Sequence, residues 1–211
     1  MKRSPSTLGF VHRFISGKDR RLTLVLLHGT GGNEEDLIPL GSVLAPDASL
    51  LSPRGKVVEN GLPRFFHRLA EGLFDVEDLK FRSRELADFV NDASATYGFE
   101  PKSVALVGYS NGANIAAGMI LGEFLVPAAA MLFRPMVPFT PDNPPNLNGL
   151  RVFISSGNFD QMVPRGESER LARLLRDAGA KVTHNREDSS HGLTNEEARK
   201  ASRWLLDSLT E

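Results

Sequence analysis

The sequence predicts an α/β fold with a mostly parallel central sheet and helices on both faces. Three observations carry that prediction. Apolar runs alternate with segments of helical periodicity along most of the 211 residues. The runs at 22–27 (LTLVLL), 103–107 and 128–133 are continuous rather than alternating, as strands covered on both faces must be. Polar, turn-forming loops follow these strands, and sheets of this class bind ligands beyond the carboxyl ends of their strands.

Taken in order, residues 10–14 alternate loosely and suit an edge strand. The 22–27 strand stops at His28-Gly29-Thr30-Gly31-Gly32-Asn33, a loop by composition. A short helix over 35–43 and a short strand over 49–52, closed by Pro53, come next. Residues 53–80 mix Gly, Pro and Phe and read as a long surface connection. Leu86, Phe89, Val90 and Ala93 have the three-four spacing of a helix over 81–97 with one buried face, ended by Gly98. The uncharged stretch 103–122 has about the length of a bilayer span. Tyr109, Ser110, Asn111, Gly112 and Asn114 interrupt it, so a strand, a tight turn and a buried helix over 111–121 explain it better. After the 128–133 strand, five prolines make 134–149 a loop, and 152–155 is a fourth interior strand. Leu171, Leu174, Leu175 and Ala178 mark an amphipathic helix over 165–178, with an outer strand over 181–186 beyond it. Thr194 and Glu197 fit a capping box opening the last helix, with Leu193 placed to staple against Ala198 and a buried face of Ala201, Leu205 and Leu209.

The length suits one domain over 1–211, with about 1–8 flexible, because no Pro/Gly-rich linker divides the chain. A net charge of −1 provides no global basic field for nucleic acid. Lys2, Arg3, Arg13, Lys18, Arg20 and Arg21 make the N-terminus basic, but no apolar run follows in the manner of a signal peptide, so it reads as frayed and solvated. The absence of cysteine removes disulfides, cysteine nucleophiles and thiolate metal sites, and fits a cytoplasmic setting. No H-E-x-x-H or clustered carboxylates suggest a metal, and neither G-K-[ST] nor G-x-G-x-x-G marks a phosphate cradle, so no cofactor is expected.

Gly108-Tyr109-Ser110-Asn111-Gly112 matches the G-x-S-x-G nucleophile elbow, with a strand before it and a helix after it. The turn is tight, and the two glycines give the room that lifts the serine hydroxyl clear of the sheet. A nucleophilic serine needs a base. Only His184 and His191 of the five histidines follow Ser110. His184 falls inside the outer strand; His191 lies in a loop before the capped helix and is the candidate. An acid must fix the base's tautomer. Asp160 follows the 152–155 strand in the required chain order, with Asp142, Glu187 and Asp188 as rivals. The backbone N–H of Asn111 and that of Thr30, in the loop after 22–27, are the candidate oxyanion donors. His28 is read as a brace for that loop.

Together these motifs resemble the phospholipase/carboxylesterase family of small α/β-hydrolases, in particular a bacterial serine esterase branch. The resemblance spans nearly the whole chain. It rests on His28-Gly29-Thr30-Gly31-Gly32-Asn33-Glu34, Ser52-Pro53-Arg54-Gly55, Arg64-Phe65-Phe66, the elbow, Asp160-Gln161-Met162-Val163-Pro164 and His191-Gly192-Leu193. It implies an α/β-hydrolase fold with no large lid domain, a triad of Ser110, Asp160 and His191, oxyanion donors at Thr30 and Asn111, and a homodimer. The family usually has glycine before its histidine, where this chain has Ser190. Dienelactone-hydrolase-like proteins share the fold but typically use a cysteine, which this chain lacks.

The expected reaction is hydrolysis of a small or medium acyl carboxylic ester through an acyl-enzyme. An acyl thioesterase or lysophospholipase would use the same scaffold, and a non-catalytic binding protein is the alternative of a different class. No long amphipathic segment offers a membrane-binding face or a large hydrophobic lid, so no stable membrane insertion is expected. Phe65, Phe66, Met136 and Met162 could line an apolar acyl pocket or be ordinary core. Any of Arg54, Arg64 and Arg134 could bind an anionic substrate group, or all three could be solvated or paired with acids.

Overall fold

The computed structural model describes residues 8–70 and 72–210. Seven strands form the central sheet: β1 (His12–Ile15), β2 (Asp19–Leu27), β3 (Ala48–Pro53), β8 (Val104–Tyr109), β9 (Ala129–Phe133), β10 (Arg151–Gly157) and β11 (Lys181–Glu187). Their spatial order is β1-β3-β2-β8-β9-β10-β11. All neighbours are parallel except the edge strand β1, which runs antiparallel to β3. Leu27 lies beside Gly108, Tyr109 beside Phe133, and Phe133 beside Ser155. The carboxyl ends of four adjacent strands are therefore level, and their loops emerge along one rim.

Alternation within the apolar runs sorts side chains to the two faces. Val25, Leu27, Val104, Leu106, Ala130, Leu132, Val152 and Ile154 pack with α2 (Val76–Tyr97), α3 (Asn111–Leu121) and α4 (Glu167–Asp177). Leu24, Leu26, Ala105, Val107, Met131, Phe133 and Phe153 pack with α1 (Ile38–Leu44) and α5 (Asn195–Thr210). The period of two sends successive residues to opposite helical layers, which is why these strands read as continuous apolar runs. Every residue of α3 is buried, which accounts for the uncharged stretch running through β8 and α3.

Several expectations need correction. The helix predicted over 81–97 starts earlier, at Val76, because Asp75 caps it by accepting the Asp78 N–H at 3.0 Å and acidic residues fill its first turn. It ends as expected at Gly98, which is left-handed at φ 77°. The stretch 53–80 is not a plain surface connection. It contains two small hairpins, β4 (Val57–Glu59) with β5 (Leu62–Arg64) and β6 (Arg68–Ala70) with β7 (Leu73–Phe74). Phe65 and Phe66, between the hairpins, are core residues: Phe65 rests on the His28 ring and Phe66 on Phe74.

The N-terminus is only partly as expected. Lys2 and Arg3 lie outside the described residues, whereas Arg13 belongs to β1 and pairs with Glu35 at 3.3 Å. The capping box is formed in both directions: Glu197 N–H donates to Thr194 Oγ1 at 3.1 Å and Thr194 N–H to Glu197 Oε2 at 2.9 Å. Ala201 and Leu205 are buried, and the Leu209 side chain lies outside the described residues. Among the described residues no helix is long and apolar enough to cross a membrane.

Candidate active site

The rim of level strand ends carries the site. β8 enters α3 through Ser110, whose backbone sits at φ 53°, ψ −113°, outside the usual regions for a residue with a side chain. The step is held because Ser110 N–H donates to Phe133 O at 2.8 Å on the adjacent strand. The glycines of the elbow are needed for space. A Cβ at Gly108 would lie 2.5 Å from Gly112 O, and one at Gly112 would run into the Leu27 carbonyl.

His191 stands in the loop between β11 and α5. Its Nε2 is 3.0 Å from Ser110 Oγ and its Nδ1 is 2.8 Å from Asp160 Oδ2. Asp160 comes from the loop after β10, and its other carboxylate oxygen accepts the N–H groups of Met162 at 2.8 Å and Val163 at 3.1 Å. Two of the three rival acids are engaged elsewhere: Asp188 accepts the Asn158 amide at 2.6 Å, and Glu187 accepts Lys200 Nζ at 2.6 Å.

A second Ser-His-acid chain runs between β10 and β11. His184 Nε2 is 2.8 Å from Ser156 Oγ, and its Nδ1 is 3.1 Å from Glu169 Oε2. Distances alone would not separate it from the first. Ser156, however, lies within a strand rather than on a strand-to-helix turn, and Glu169 also accepts from Arg186 at 2.6 Å. His184 is a structural link, as its strand position suggests.

His28 braces its loop. Its Nε2 accepts the Gly55 N–H at 3.0 Å while Nδ1 donates to Gly29 O at 2.6 Å, and burial pushes its pKa below the usual imidazole value. In that loop the N–H groups of Gly31 and Gly32 are spent on Pro63 O at 2.9 Å and Gly29 O at 3.1 Å. Thr30 borders the cavity at Ser110. Asn111 is the first residue of α3, where helix geometry leaves the N–H without an intrahelical acceptor. Thr30 and Asn111 thus both flank the serine.

Of the three arginines, Arg54 is paired with Glu34 through two hydrogen bonds of 2.6 and 2.8 Å. Arg134 is fully buried and forks onto Glu197, at 2.5 Å to Oε1 and 2.9 Å to Oε2. The same guanidinium donates to Ser190 O at 3.1 Å, Ser189 Oγ at 2.9 Å and Gly192 O at 3.0 Å, so it holds both sides of His191. Ser155 Oγ completes the Glu197 shell at 2.7 Å. Sequence reasoning saw Glu197 only as a cap; its part in fixing the base's loop left no local signal. Arg64 lines the cavity beside Ser110, as do Arg68, Phe74, Met136, Met162 and Arg134 itself, but Arg64 has no forked carboxylate partner of its own. Phe65 and Phe66, open between pocket lining and ordinary core, belong to the core.

The model of the phospholipase/carboxylesterase family matches residues 13–208. The chain belongs to that family. As a member it is an ester-hydrolysing enzyme with the α/β-hydrolase fold and no large lid. A family relative named as a hydrolase, MhqD of Bacillus subtilis (strain 168), is 49% identical over 186 residues, 88% of this chain and 93% of that protein. The crystal structure of a Bacillus cereus carboxylesterase superposes with a TM-score of 0.93 at 46% identity, covering 96% of each chain. A Mesorhizobium loti carboxylesterase gives 0.90 at 31% identity, covering 97% of this chain and 99% of its own.

Proposed function

We propose that the protein is a serine carboxylesterase that hydrolyses esters of small or medium acyl groups through an acyl-enzyme on Ser110. The observation that carries this reading is the continuous relay from Ser110 Oγ through His191 to Asp160, with contacts of 3.0 and 2.8 Å, at a strand-to-helix elbow. Asp160 accepts the Nδ1–H of His191, which leaves Nε2 as the lone pair that takes the serine proton. Ser110 Oγ then attacks the ester carbonyl, and the N–H groups of Thr30 and Asn111 receive the oxyanion. The N-terminal end of α3, with its positive partial charge, supports the same oxygen. His191 returns the proton to the departing alcohol, and water repeats the sequence to release the acid and free the serine. A cytoplasmic setting, which the absence of cysteine fits, and a homodimer, which the family resemblance implies, belong to the same reading.

Two measurements test it together. A fluorophosphonate probe should label Ser110 in the folded protein, and kcat/KM across p-nitrophenyl esters should peak at short acyl chains. Absence of labelling would remove covalent serine catalysis. An optimum at palmitate, or a strong preference for matched acyl thioesters, would replace the short-acyl esterase by a lipase or thioesterase.

A further inference from the structure

The cavity beside Ser110 is small, about 70 Å³, and its charge is one-sided. Arg64, Arg68 and Arg134 line it, the last already paired with Glu197, and among the described residues no carboxylate does. Arg64 and Arg68 share one acid, Glu59: Arg68 Nε donates to its Oε2 at 2.6 Å, and Arg64 Nη1 lies 3.5 Å from the same oxygen. Among the described residues, two cations against one anion leave an excess positive charge. The Arg64 side chain is 4% exposed, yet its one hydrogen bond to a described residue is a long one, from Nε to Phe66 O at 3.3 Å. A guanidinium has five N–H donors, and burying a cation with so few acceptors is costly unless a ligand supplies them.

A second, independent group points the same way. Asn111 also lines the cavity, and its Oδ1 accepts the Phe65 N–H at 2.8 Å, which fixes the amide's orientation. Its Nδ2 is then a buried donor with no partner among the described residues. Thr30 also borders a wider cleft, about 420 Å³, lined by Gly29, Gly32, Asp36, Leu37, Tyr109 and Leu193, which does not include Ser110. The smaller cavity suits the half of the ester that stays on Ser110.

We infer that the acyl half of the substrate carries a carboxylate a few bonds from the scissile carbonyl, bound by Arg64 with Arg68 behind it, so that the substrates are monoesters of short dicarboxylic acids. Phe74 and Met136 supply apolar walls for the intervening methylenes. The inference rests on the esterase reading above and deepens it. The competing role for Arg64 is purely structural, as a pin at the end of β5.

The test compares monoethyl succinate with its neutral isostere ethyl succinamate, with the malonate and glutarate monoesters to gauge reach. The wild type should favour the anionic ester by tenfold or more in kcat/KM. Arg64→Met should cut that preference by about tenfold to a hundredfold, the range for hydrogen bonds to charged groups, and Arg64→Lys should keep part of it. If Arg64→Met does not fold, Arg68→Gln, at a more exposed position, should still lower the preference severalfold. A wild type that hydrolyses both esters without preferring the anion overturns the carboxylate pocket and leaves the esterase reading standing. If neither ester is turned over, calorimetric titration of Ser110→Ala decides: monoethyl succinate binding no tighter than ethyl succinamate overturns the pocket, and tighter binding supports it.

Discussion

Ser110→Ala and His191→Ala should each lose roughly a millionfold in kcat, Asp160→Asn about ten-thousandfold, and the Ser110→Ala/His191→Ala pair no more than either single change. In the proposed mechanism serine and base act as one unit, so the second removal has nothing left to subtract. Asp160→Asn is milder because nucleophile and base remain, held in a poorer tautomer. Ser110→Ala keeps the Cβ and the N–H that donates to Phe133 O, so it should fold as the wild type does. Asp188→Asn is the control, since Asp188 serves Asn158 rather than the imidazole. Steady-state kinetics on a short p-nitrophenyl ester, with circular dichroism for fold, reads the series. A crippled Asp188→Asn beside an active Asp160→Asn would refute the assignment of the acid.

Arg134→Met should be the most destabilising of the polar replacements, at about 3–5 kcal/mol, because it strands the Glu197 carboxylate in the interior. For a chain of this size that is a fall of roughly 6–20 °C in Tm. Replacing both partners, Arg134→Met with Glu197→Met, should recover the part of the loss that comes from stranding Glu197, but not the part from Asp160, whose Oδ2 lies 3.9 Å from Arg134 Nε. Activity should not recover, because Ser190 O and Gly192 O lose the donor that holds the His191 loop. The pair also predicts a response to acid. Burial raises the Glu197 pKa, but hydrogen bonds from Arg134 and Ser155 outweigh it, and the carboxyl is held below its ordinary 4.5. A depressed folded-state value gives stability that is complete above the unfolded pKa and lost as pH falls through the folded one. Wild-type unfolding free energy should therefore drop below about pH 4.5 by an increment that the double variant lacks. Denaturant titrations across that range measure it.

What could be read in advance divides along a physical line. The strands and α3 were legible because burial on both faces demands uninterrupted apolar runs, and such runs are local in sequence. Ser110, Asp160 and His191 could be singled out because elbow spacing, chain order and a capped helix are also local patterns. Residues 53–80 were not legible. Their hairpins have two or three residues per strand, too short for periodicity, and what orders Phe65 is an Asn111 side chain 46 positions away. For Arg134, pairing with an acid was one of the open readings, but the acid itself could not be named for the same reason: it lies 63 residues on and was accounted for as a helix cap. Arg64 was flagged by type, but only three dimensions put it beside the serine and Arg134 in the interior.

The backbone at Ser110 sets two selective pressures against each other. Residues held so far from ordinary φ/ψ regions cost about 1–3 kcal/mol each, and only glycine escapes most of that cost. Ser110→Gly should therefore raise the melting temperature while silencing the enzyme. Random mutagenesis scored by thermal tolerance alone would drift toward losing the nucleophile, whereas selection for turnover keeps the strain in place. Stability gained elsewhere in the fold is what allows this turn to persist.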